Sequence, residues 1–290
     1  MGPTSQPVRT LWSLREQQAA ERLVRLALTE DRAAADPTSR LAVPAAAAGR
    51  ATLVCRAAGV VAGLPLLRLV YRIFDRRVRV RCLCADGARV SAGDVIATCA
   101  GPARALLACE RTALNFLQRL SGIATLTARF VQAVAGTGVA IVDTRKTAPG
   151  WRLLEKYAVR CGGGVNHRLH LADMIMLKDN HLALSPLTLP ELIAAARARY
   201  PRLPVACEAE TLAQVAQLLP TGVDVLMLDN MSPRALRAAA ALCRGRACLE
   251  ATGGVTLKNV RAVARTGVAR ISVGALTHSA PALNLSLEIA

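Results

Sequence analysis

The second half of the chain repeats one arrangement of hydrophobic and polar positions. Short apolar runs end in polar or glycine residues, and segments with helical periodicity separate one run from the next. Strands and helices that alternate in this way are typical of parallel βαβ units. The predicted strands lie in VAIVDTRK, DMIMLKDN, LPVACEAE, VDVLMLDN, ACLEATGG and VARISVGAL, and the predicted helices cover 151–161, 188–199, 211–219, 233–243 and 256–265. Ser232 and Pro233 predict the start of one helix, as its N-cap and its first helical residue.

The polar residues of this repeat follow the carboxyl ends of the predicted strands. In an α/β barrel these ends form one face, and that face carries the active site. An open doubly wound sheet is the competing architecture, but it gathers ligands at one switch point rather than at successive strand ends. We therefore predict an α/β fold with a TIM-like barrel.

The first 135 residues follow different patterns. Residues 12–30 predict an amphipathic helix, and residues 104–135 predict a second, longer helix. Between them, residues 51–110 contain short apolar runs punctuated by Gly, Asp and Pro, which predict short antiparallel strands and turns. The apolar face of the first helix is predicted to contain Leu14, Leu23, Leu26 and Ala27.

Composition narrows the possible classes of protein. The chain has 290 residues, of which 53% are hydrophobic and 20% charged, so it can form a globular core. Its net charge of +17 is compatible with nucleic acid, a membrane surface or an anionic substrate. The 33 arginines and four lysines are spread along the chain, and only 3% of residues are aromatic, so stacking platforms for nucleic acid are scarce. We predict an anionic substrate and no nucleic-acid partner.

Neither the cysteines nor the apolar runs indicate an extracellular or membrane protein. The nine cysteines form no C-x-x-C pair and have no histidines at a metal-binding spacing, so reduced structural thiols are predicted. The first thirty residues lack the apolar core of a secretory signal, and the longest uncharged run, 271–287, is too short and polar to span a membrane. We predict a cytoplasmic protein with no membrane partner.

The polar residues at the early strand ends are mostly cationic. Arginine matches a carboxylate or phosphate with two parallel hydrogen bonds, and lysine supplies a mobile point charge. A single such residue could be a solvated loop charge, but five on one face favour an anion pocket. These residues are Arg145, Lys146, His167, Arg168 and Lys178, with Thr144 beside the first two.

The late strand ends carry carboxylates and glycine turns instead. Glu210 and Asp229 suit two tasks, namely holding sugar hydroxyls or Mg²⁺ and stabilising a positive charge that develops at a sugar C1. Backbone N–H groups at glycine turns before helices can hold a phosphate. The residues of these turns are Thr252, Gly253, Gly254 and Gly274. Together, the two halves predict a site for two anions and glycosyl transfer from a phosphorylated sugar.

Several long motifs resemble one known family. They are ERTALNFLQRLSGIAT, DTRKTAPGWRLLEKYAVRCGGGVNHR, MLKDNH, EAE, LDN, EATGGV and SVGALTHSAPALNLSLEI. These segments are similar to nicotinate-nucleotide pyrophosphorylase (carboxylating), also called quinolinate phosphoribosyltransferase, over nearly the whole chain. The resemblance implies conversion of quinolinate and phosphoribosyl pyrophosphate to nicotinate mononucleotide, pyrophosphate and CO₂ in NAD biosynthesis, with Mg²⁺ as cofactor.

The resemblance also implies a domain organisation and an assembly. A small N-terminal α/β sandwich domain, residues 1–116, would precede an incomplete α/β barrel, residues 117–276, and the tail 277–290 would pack with the first domain. The minimum functional unit would be a homodimer in which Arg111 reaches the neighbouring subunit's site. Dimers and hexamers both remain open.

The family's functional residues map onto matching positions of this chain. Quinolinate would be bound by Arg111, Thr144, Arg145, Lys146, His167, Arg168 and Lys178. Phosphoribosyl pyrophosphate would be bound by Lys178, Glu210, Asp229, Thr252, Gly253, Gly254, Gly274 and His278. The catalytic residues would be Lys146, Glu210 and Asp229, and the last two would hold Mg²⁺ through water.

The chain departs from the family pattern near its start. The segment EDRAAADPTS, residues 30–39, lacks the glycines that are usual there, so acceptor specificity could be altered. The alternatives are a related molybdenum-operon protein of the same fold, a nicotinate-specific transferase and a degenerate family member without activity. A basic nucleic-acid-binding module is the alternative from another class. The two-carboxylate pocket and the NHR and KDNH motifs favour the carboxylating enzyme.

Overall fold

Most of the chain folds into short strands and helices. The computed structural model describes residues 12–289. The strands are β1 (Ala48–Cys55), β2 (Gly59–Val60), β3 (Arg79–Cys82), β4 (Arg89–Val90), β5 (Val95–Pro102), β6 (Ala140–Val142), β7 (Ile175–Leu177), β8 (Val205–Ala209), β9 (Val225–Asp229), β10 (Cys248–Thr252), β11 (Arg270–Ser272) and β12 (Leu285–Ile289). The α-helices are α1 (Leu14–Glu30), α2 (Pro37–Ala42), α3 (Leu64–Phe74), α4 (Ala103–Ala133), α5 (Arg152–Cys161), α6 (Asp179–Leu184), α7 (Leu189–Arg199), α8 (Leu212–Leu218), α9 (Pro233–Cys243), α10 (Val260–Ala264) and α11 (Ala275–His278).

The chain divides into two structural units. Of the described residues, the first contains 12–128, Thr147–Gly163 and 276–289. The second contains Arg129–Lys146 and Gly164–Ala275. The domain boundaries expected from the sequence, at 116 and 276, stay a prediction.

The first unit is built on a four-stranded antiparallel sheet in the order β12-β1-β5-β3. Within residues 12–289 the last strand, β12, pairs with the first, β1, and Leu53 lies opposite Leu287 on the two strands. Alternate residues of β1, such as Ala51 and Leu53, are buried, as expected for a sheet with one covered face. The predicted short antiparallel strands are therefore present.

Helix α3 was missing from the prediction for residues 51–110. Its sequence LPLLRLVYRIF is a short apolar run that periodicity alone does not separate from a buried strand. The helix begins where the Asp86 carboxylate accepts hydrogen bonds from the backbone N–H groups of Gly63 and Leu64, both at 3.0 Å. Because this cap comes from 22 residues further along the chain, local sequence patterns do not show it.

Helix α1 confirms the prediction of a helix over residues 12–30, but the predicted buried face was wrong. The helix starts with a capping box between Ser13 and Glu16. Leu14 and Leu26 are 72% and 62% exposed, and the buried residues are instead Glu16, Ala19, Ala20 and Val24. Small alanines allow close packing, and Glu16 is compensated by Arg160 at 2.8 Å, so this face is buried in preference to the leucines.

The second unit contains a six-stranded parallel sheet in the order β6-β11-β10-β9-β8-β7. All six strands predicted from the repeat are present, and α7, α8, α9 and α10 lie at the predicted helical positions. Ser232 caps α9, since its hydroxyl accepts a hydrogen bond from Ala235 N at 3.3 Å. The first strand, β6, pairs with the last, β11, which is the strand order of a barrel rather than of an open doubly wound sheet.

The barrel order is interrupted at one place. Within residues 12–289, no ladder joins β6 to β7, and Val142 of β6 instead forms an isolated parallel bridge with Val165. This agrees with the expected incomplete barrel.

One side of the parallel sheet holds a small apolar layer. Ala206, Val225 and Met227 are buried there and pack against Met174, Met176 and Cys248. Side chains alternate between the two sides of a strand, so the residues two positions after Met176, Ala206 and Cys248 share this side. These residues are Lys178, Glu208 and Glu250. They lie closer to the carboxyl ends of the strands, and they form the site described below. No helix in residues 12–289 is long and apolar enough to cross a membrane.

Candidate active site

A row of charged side chains crosses the parallel sheet just beyond the apolar layer. The strand register places Glu208 opposite Met227, Met227 opposite Glu250, and Glu250 opposite Arg270. At the β7 end of this row, Lys178 Nζ forms an ion pair with Glu208 Oε1. A second ion pair joins Glu250 to Arg270. The row therefore contains two ion pairs, Lys178–Glu208 and Glu250–Arg270, with Met227 between them.

Arg168 is held beside this row by contacts along β7. Its Nη1 donates a hydrogen bond to the carbonyl oxygen of Met174 at 3.1 Å, and its Nη2 lies 3.2 Å from Met176 Sδ. Burial lowers the pKa of the Arg168 guanidinium, and the nearby charge of Arg145 lowers it further. An arginine nevertheless stays protonated at neutral pH. Two partly desolvated guanidinium groups that repel each other are typical of a site for an anion.

The loop that carries Arg168 is fixed by a buried carboxylate. Asp143 is fully buried; its Oδ1 accepts from His167 N at 2.8 Å and its Oδ2 accepts from Asn166 Nδ2 at 2.6 Å. The backbone also extends the sheet locally, because Val165 N donates to Ile141 O at 2.9 Å. Asp143 therefore sets the path of the chain just before Arg168.

The glycines that precede this loop allow a close approach in the first unit. A Cβ atom at Gly162 would lie 2.4 Å from the carbonyl oxygen of Ala124 and 2.6 Å from Thr127 Cβ. Any side chain at residue 162 would therefore displace the backbone. Glycine meets a steric requirement here, which accounts for part of the run Gly162–Gly164.

The ring of His167 lies between two protein groups. Its Nδ1 accepts a hydrogen bond from Arg168 N at 2.7 Å, so the proton of the neutral ring lies on Nε2. That Nε2 lies 3.3 Å from Glu250 Oε1, and Glu250 Oε2 lies 3.3 Å from Arg270 Nε. Glu250 is fully buried.

At the ends of β9 and β10 the backbone is unusually tight. Asn230 has φ +52°, its backbone N–H donates to Thr252 O at 2.9 Å, and its Nδ2 donates to Asp229 Oδ2 at 3.0 Å. A Cβ atom at Gly253 would lie 2.3 Å from Asn230 Oδ1 and 2.7 Å from Asp229 Oδ1. Asn259 Nδ2 holds the turn from the other side through a 3.0 Å bond to Gly254 O.

Comparison with known proteins decides the family. The family model described as quinolinate phosphoribosyl transferase, N-terminal domain, matches residues 36–121, and the model for the C-terminal domain of the same family matches residues 123–288. The chain belongs to the quinolinate phosphoribosyl transferase family.

Relatives of similar length support this assignment. The nicotinate-nucleotide pyrophosphorylase (carboxylating) of Mycobacterium leprae is 41% identical over 288 residues, which cover 94% of this chain and 98% of the relative. A probable nicotinate-nucleotide pyrophosphorylase (carboxylating) of Bacillus subtilis is 42% identical and covers 82% of this chain and 83% of its own length. The crystal structure of NadC from Streptococcus pyogenes superposes with a TM-score of 0.91 at 39% identity, over 96% of this chain and 99% of that one.

Most residues that the family resemblance singled out lie in the second unit, at or just beyond the carboxyl ends of its strands. They are Thr144, Arg145, Lys146, His167, Arg168, Lys178, Glu210, Asp229, Thr252, Gly253, Gly254 and Gly274. Arg111 and His278 belong to the first unit, where both are exposed. Within the described residues, no three His, Cys, Asp or Glu side chains form a group that could hold a metal ion.

Three carboxylates of this quinolinate phosphoribosyl transferase site, Asp143, Glu208 and Glu250, were not among the predicted functional residues. Glu250 lies inside the motif EATGGV, but only the register with Arg270 shows its partner. Asp143 directly follows β6, and only the structure shows that its carboxylate accepts hydrogen bonds from Asn166 and His167. The ion pair of Lys178 uses Glu208, whereas the predicted carboxylate at this strand end, Glu210, is exposed to solvent.

Proposed function

We propose that this chain transfers the phosphoribosyl group of phosphoribosyl pyrophosphate to quinolinate, with loss of CO₂, and so produces nicotinate mononucleotide for NAD biosynthesis. The observation that carries the proposal is the pair of partly desolvated arginines, Arg145 and Arg168, beside the Lys178–Glu208 ion pair. The relatives named as carboxylating nicotinate-nucleotide pyrophosphorylases support the reaction type.

Quinolinate is a dianion, and moving it out of water requires positive partners. Arg145 and Arg168 suit its two carboxylates, because each guanidinium can make two parallel hydrogen bonds to a carboxylate. A bound anion also offsets the repulsion between the two arginines. The arginines would hold the pyridine nitrogen in line with C1 of the ribose, and such positioning supplies much of the rate in a two-substrate reaction.

The carboxylates at the late strand ends face the second substrate. As the bond from C1 to pyrophosphate breaks, positive charge develops at C1, and Asp229 and Glu210 would stabilise it. Asn230 fixes the Asp229 carboxylate through the 3.0 Å bond to Oδ2. The turn at Gly253 and Gly254 would bind the phosphate end of the ribose through its backbone N–H groups.

The remaining step needs no nucleophile from the protein. The ring nitrogen forms its bond to C1, pyrophosphate leaves with the electrons of the broken C–O bond, and the pyridine becomes a pyridinium. The adjacent carboxylate then departs as CO₂, and the ring carbon that keeps the electron pair takes up a proton. The thiols of the sheet are poorly suited to a covalent role; burial raises the pKa of Cys207 to about 12.

We propose Mg²⁺ as the cofactor of this reaction. It binds well to phosphate oxygens and water with one or two carboxylates, and Glu210 and Asp229 at adjacent strand ends provide that donor set. Bound to the diphosphate, the ion would neutralise charge on the leaving pyrophosphate.

Purified protein is expected to form nicotinate mononucleotide and CO₂ from quinolinate, phosphoribosyl pyrophosphate and Mg²⁺. The nucleotide would be followed by chromatography and the CO₂ from carboxyl-labelled quinolinate. Parallel reactions with nicotinate, and with EDTA, serve as controls, and both are expected to give no product. Turnover of nicotinate but not quinolinate would show that the arginine pair does not recognise two carboxylates.

We further propose that the functional unit is a homodimer in which Arg111 of each chain enters the site of the other. In the first unit, Arg111 is exposed and lines a recess of about 510 Å³ together with Leu107 and the segment around Asp36. This recess is lined by part of the segment 30–39, which departs from the family pattern. An exposed arginine at the edge of a recess is suited to contacting an anion bound to another chain.

Mixing two inactive variants tests the shared site. Arg111→Ala and Lys146→Ala chains are each expected to be inactive alone. After mixing and subunit exchange, about a quarter of the wild-type activity should return, because half of the dimers are mixed and each has one intact site. A mixture that stays inactive, although native mass spectrometry shows mixed dimers, would contradict the proposal.

A further inference from the structure

Glu250 is a fully buried carboxylate in the middle of β10, on the side of the sheet that forms the candidate site. Burying a charge is costly in free energy unless the charge is paired. Glu250 has the Arg270 guanidinium on one side and the His167 imidazole on the other. Arg270 Nε lies 3.3 Å from one carboxylate oxygen, and His167 Nε2 lies 3.3 Å from the other. The family's expected substrate ligands do not include Glu250, so its burial needs another explanation.

The contacts of Glu250 continue through His167 to the main chain of Arg168. His167 Nδ1 accepts the Arg168 backbone N–H at 2.7 Å, so both ring nitrogens face protein groups. The path therefore runs from the Arg270 side chain to the Glu250 carboxylate, then through the imidazole to the peptide from which the Arg168 side chain extends. Every residue in it belongs to the second unit.

This path orients the Arg168 side chain, which regular backbone structure does not do at this place. Residues 166–168 lie outside any helix or strand, so polar contacts determine their conformation. Asp143 fixes the chain before Arg168 through Asn166 Nδ2 and His167 N. The ring of His167 lies 3.3 Å from Glu250 Oε1 and accepts the backbone N–H of Arg168, whose guanidinium contacts Met174 O and Met176 Sδ.

We propose that Glu250, supported by Arg270, is a positioning residue for quinolinate recognition, which it serves by holding His167 and thereby the direction of Arg168. The inference rests on the proposed function. It assigns the recognition of the acceptor carboxylates to a buried relay as well as to the groups that touch the substrate. The phosphoribosyl half of the site is built from other residues, around Asp229 and Gly253, which lie against Asn230.

Steady-state kinetics of Glu250→Gln test the assignment. The amide keeps the shape of the side chain but loses the charge that holds the imidazole and Arg270. We expect KM for quinolinate to rise about 10- to 100-fold, because a displacement of about 1 Å in a positioning group has effects of up to this size, whereas KM for phosphoribosyl pyrophosphate changes less than about twofold. A purely structural role predicts a lower melting temperature with both KM values unchanged or changed together, and that result would overturn the proposal.

Glu16→Gln is the matched control. Glu16 is also a buried glutamate, and it is paired with Arg160 at 2.8 Å, but it lies in the first unit. This variant should lose thermal stability as Glu250→Gln does, yet keep the wild-type KM for quinolinate. A rise in that KM equal to the rise in Glu250→Gln would overturn the proposal, because it would tie the effect to stability.

Two further variants keep the test decisive if Glu250→Gln folds poorly. Arg270→Gln changes a side chain that is 29% exposed, and it should raise KM for quinolinate in the same selective way, by about 3- to 10-fold. Because Glu250 acts through His167, the double variant Glu250→Gln/His167→Gln should have the same KM for quinolinate as whichever single variant has the higher KM. Multiplicative losses in the double variant would overturn the relay. A wild-type protein that does not turn over quinolinate would overturn the proposed function, and this inference with it.

Discussion

Arg168→Gln is expected to lower kcat/KM for quinolinate by about 100- to 1,000-fold. Removing one partner of a desolvated, hydrogen-bonded charge pair costs about 2–5 kcal/mol, and each 1.4 kcal/mol corresponds to a factor of ten. The guanidinium is anchored to Met174 O at 3.1 Å, and the Arg168 backbone N–H donates to His167 Nδ1 at 2.7 Å, so its direction is fixed by both contacts. The measurement is initial rates at varied quinolinate and saturating phosphoribosyl pyrophosphate.

The same variant is expected to keep or raise the melting temperature. Burial and the charge of Arg145 lower the pKa of Arg168, which means that folding disfavours its protonated form. Arginine is charged at neutral pH in both the folded and the unfolded chain, so this charge opposes folding. Removing the charge therefore keeps or raises the free energy of unfolding, as is common where a site is arranged for function rather than stability. Loss of activity without loss of stability distinguishes a binding role from a structural one.

Two other substitutions serve as comparisons for Arg168→Gln. Arg168→Lys keeps the charge but not the planar pair of donors, so kcat/KM should lie between those of the wild type and Arg168→Gln. Arg237→Gln removes the same charge from an exposed position of α9 and should leave the kinetics unchanged. If Arg168→Gln retains kcat/KM within about fivefold of the wild type, quinolinate binds elsewhere, since losing a charge-assisted pair costs more than this factor.

Much of the candidate site can be predicted from the sequence, because functional side chains of a barrel follow the carboxyl ends of its parallel strands. The strand-end residues Arg145, Lys178 and Asp229 follow local apolar runs, and their convergence needs only the rule that carboxyl ends of barrel strands meet. The start of α9 at Ser232 and Pro233 was equally local. Where the deciding interaction is short-range, the pattern along the chain contains it.

Features that depend on distant partners could not be predicted in this way. Helix α3 needs Asp86 as its cap, and the buried face of α1 depends on Arg160 as the partner of Glu16. The role of Glu250 requires the register of β10 against β11, which no local pattern specifies. Arg111 and His278 entered only through the family resemblance, because Arg111 lies in the predicted helix 104–135 and His278 lies beyond Gly274, the residue assigned to the end of the last predicted strand.

The choice between Glu208 and Glu210 shows the same limit within one strand. Glu208 lies in β8 and Glu210 directly follows the strand, and no local pattern distinguishes one of them as the partner of Lys178. The register of β7 with β8 pairs Leu177 with Cys207, so the next residue along each strand brings Lys178 to Glu208. A shift of register, and not a change of residue type, would have selected the other carboxylate.

Gly253→Ala is expected to lower kcat/KM for phosphoribosyl pyrophosphate by about 100-fold or more, because small displacements of positioning groups have effects of this size. The added methyl group would lie 2.3 Å from Asn230 Oδ1 and 2.7 Å from Asp229 Oδ1, so Asp229 must move. The variant should fold, since the clash concerns two side chains at a strand end. KM for quinolinate should stay close to the wild-type value, because the three atoms nearest to the added methyl group belong to Asn230 and Asp229 and not to the arginines.

Gly254→Ala provides the matched control for backbone strain. Both glycines have positive φ, +80° at Gly253 and +59° at Gly254, so an alanine at either position costs about 1–2 kcal/mol in conformational energy. A Cβ at Gly254 meets only Asn230 Oδ1, at an ordinary 3.7 Å. Similar losses of stability with a much smaller loss of activity in Gly254→Ala would assign the effect of Gly253→Ala to the displaced carboxylate. Equal losses of activity would assign it to strain in the turn.

A second substitution can restore part of the lost activity. Asn230 provides the two nearest atoms to the added methyl group, at 2.3 and 2.6 Å, and its φ of +52° suits glycine. Asn230→Gly alone should reduce activity modestly, because Asp229 Oδ2 loses the 3.0 Å bond that orients it. Combined with Gly253→Ala, it makes room for the methyl group, so the double variant should exceed Gly253→Ala in kcat/KM for phosphoribosyl pyrophosphate. Recovery of this kind arises only if glycine at 253 is required for the space it leaves to Asn230 and Asp229.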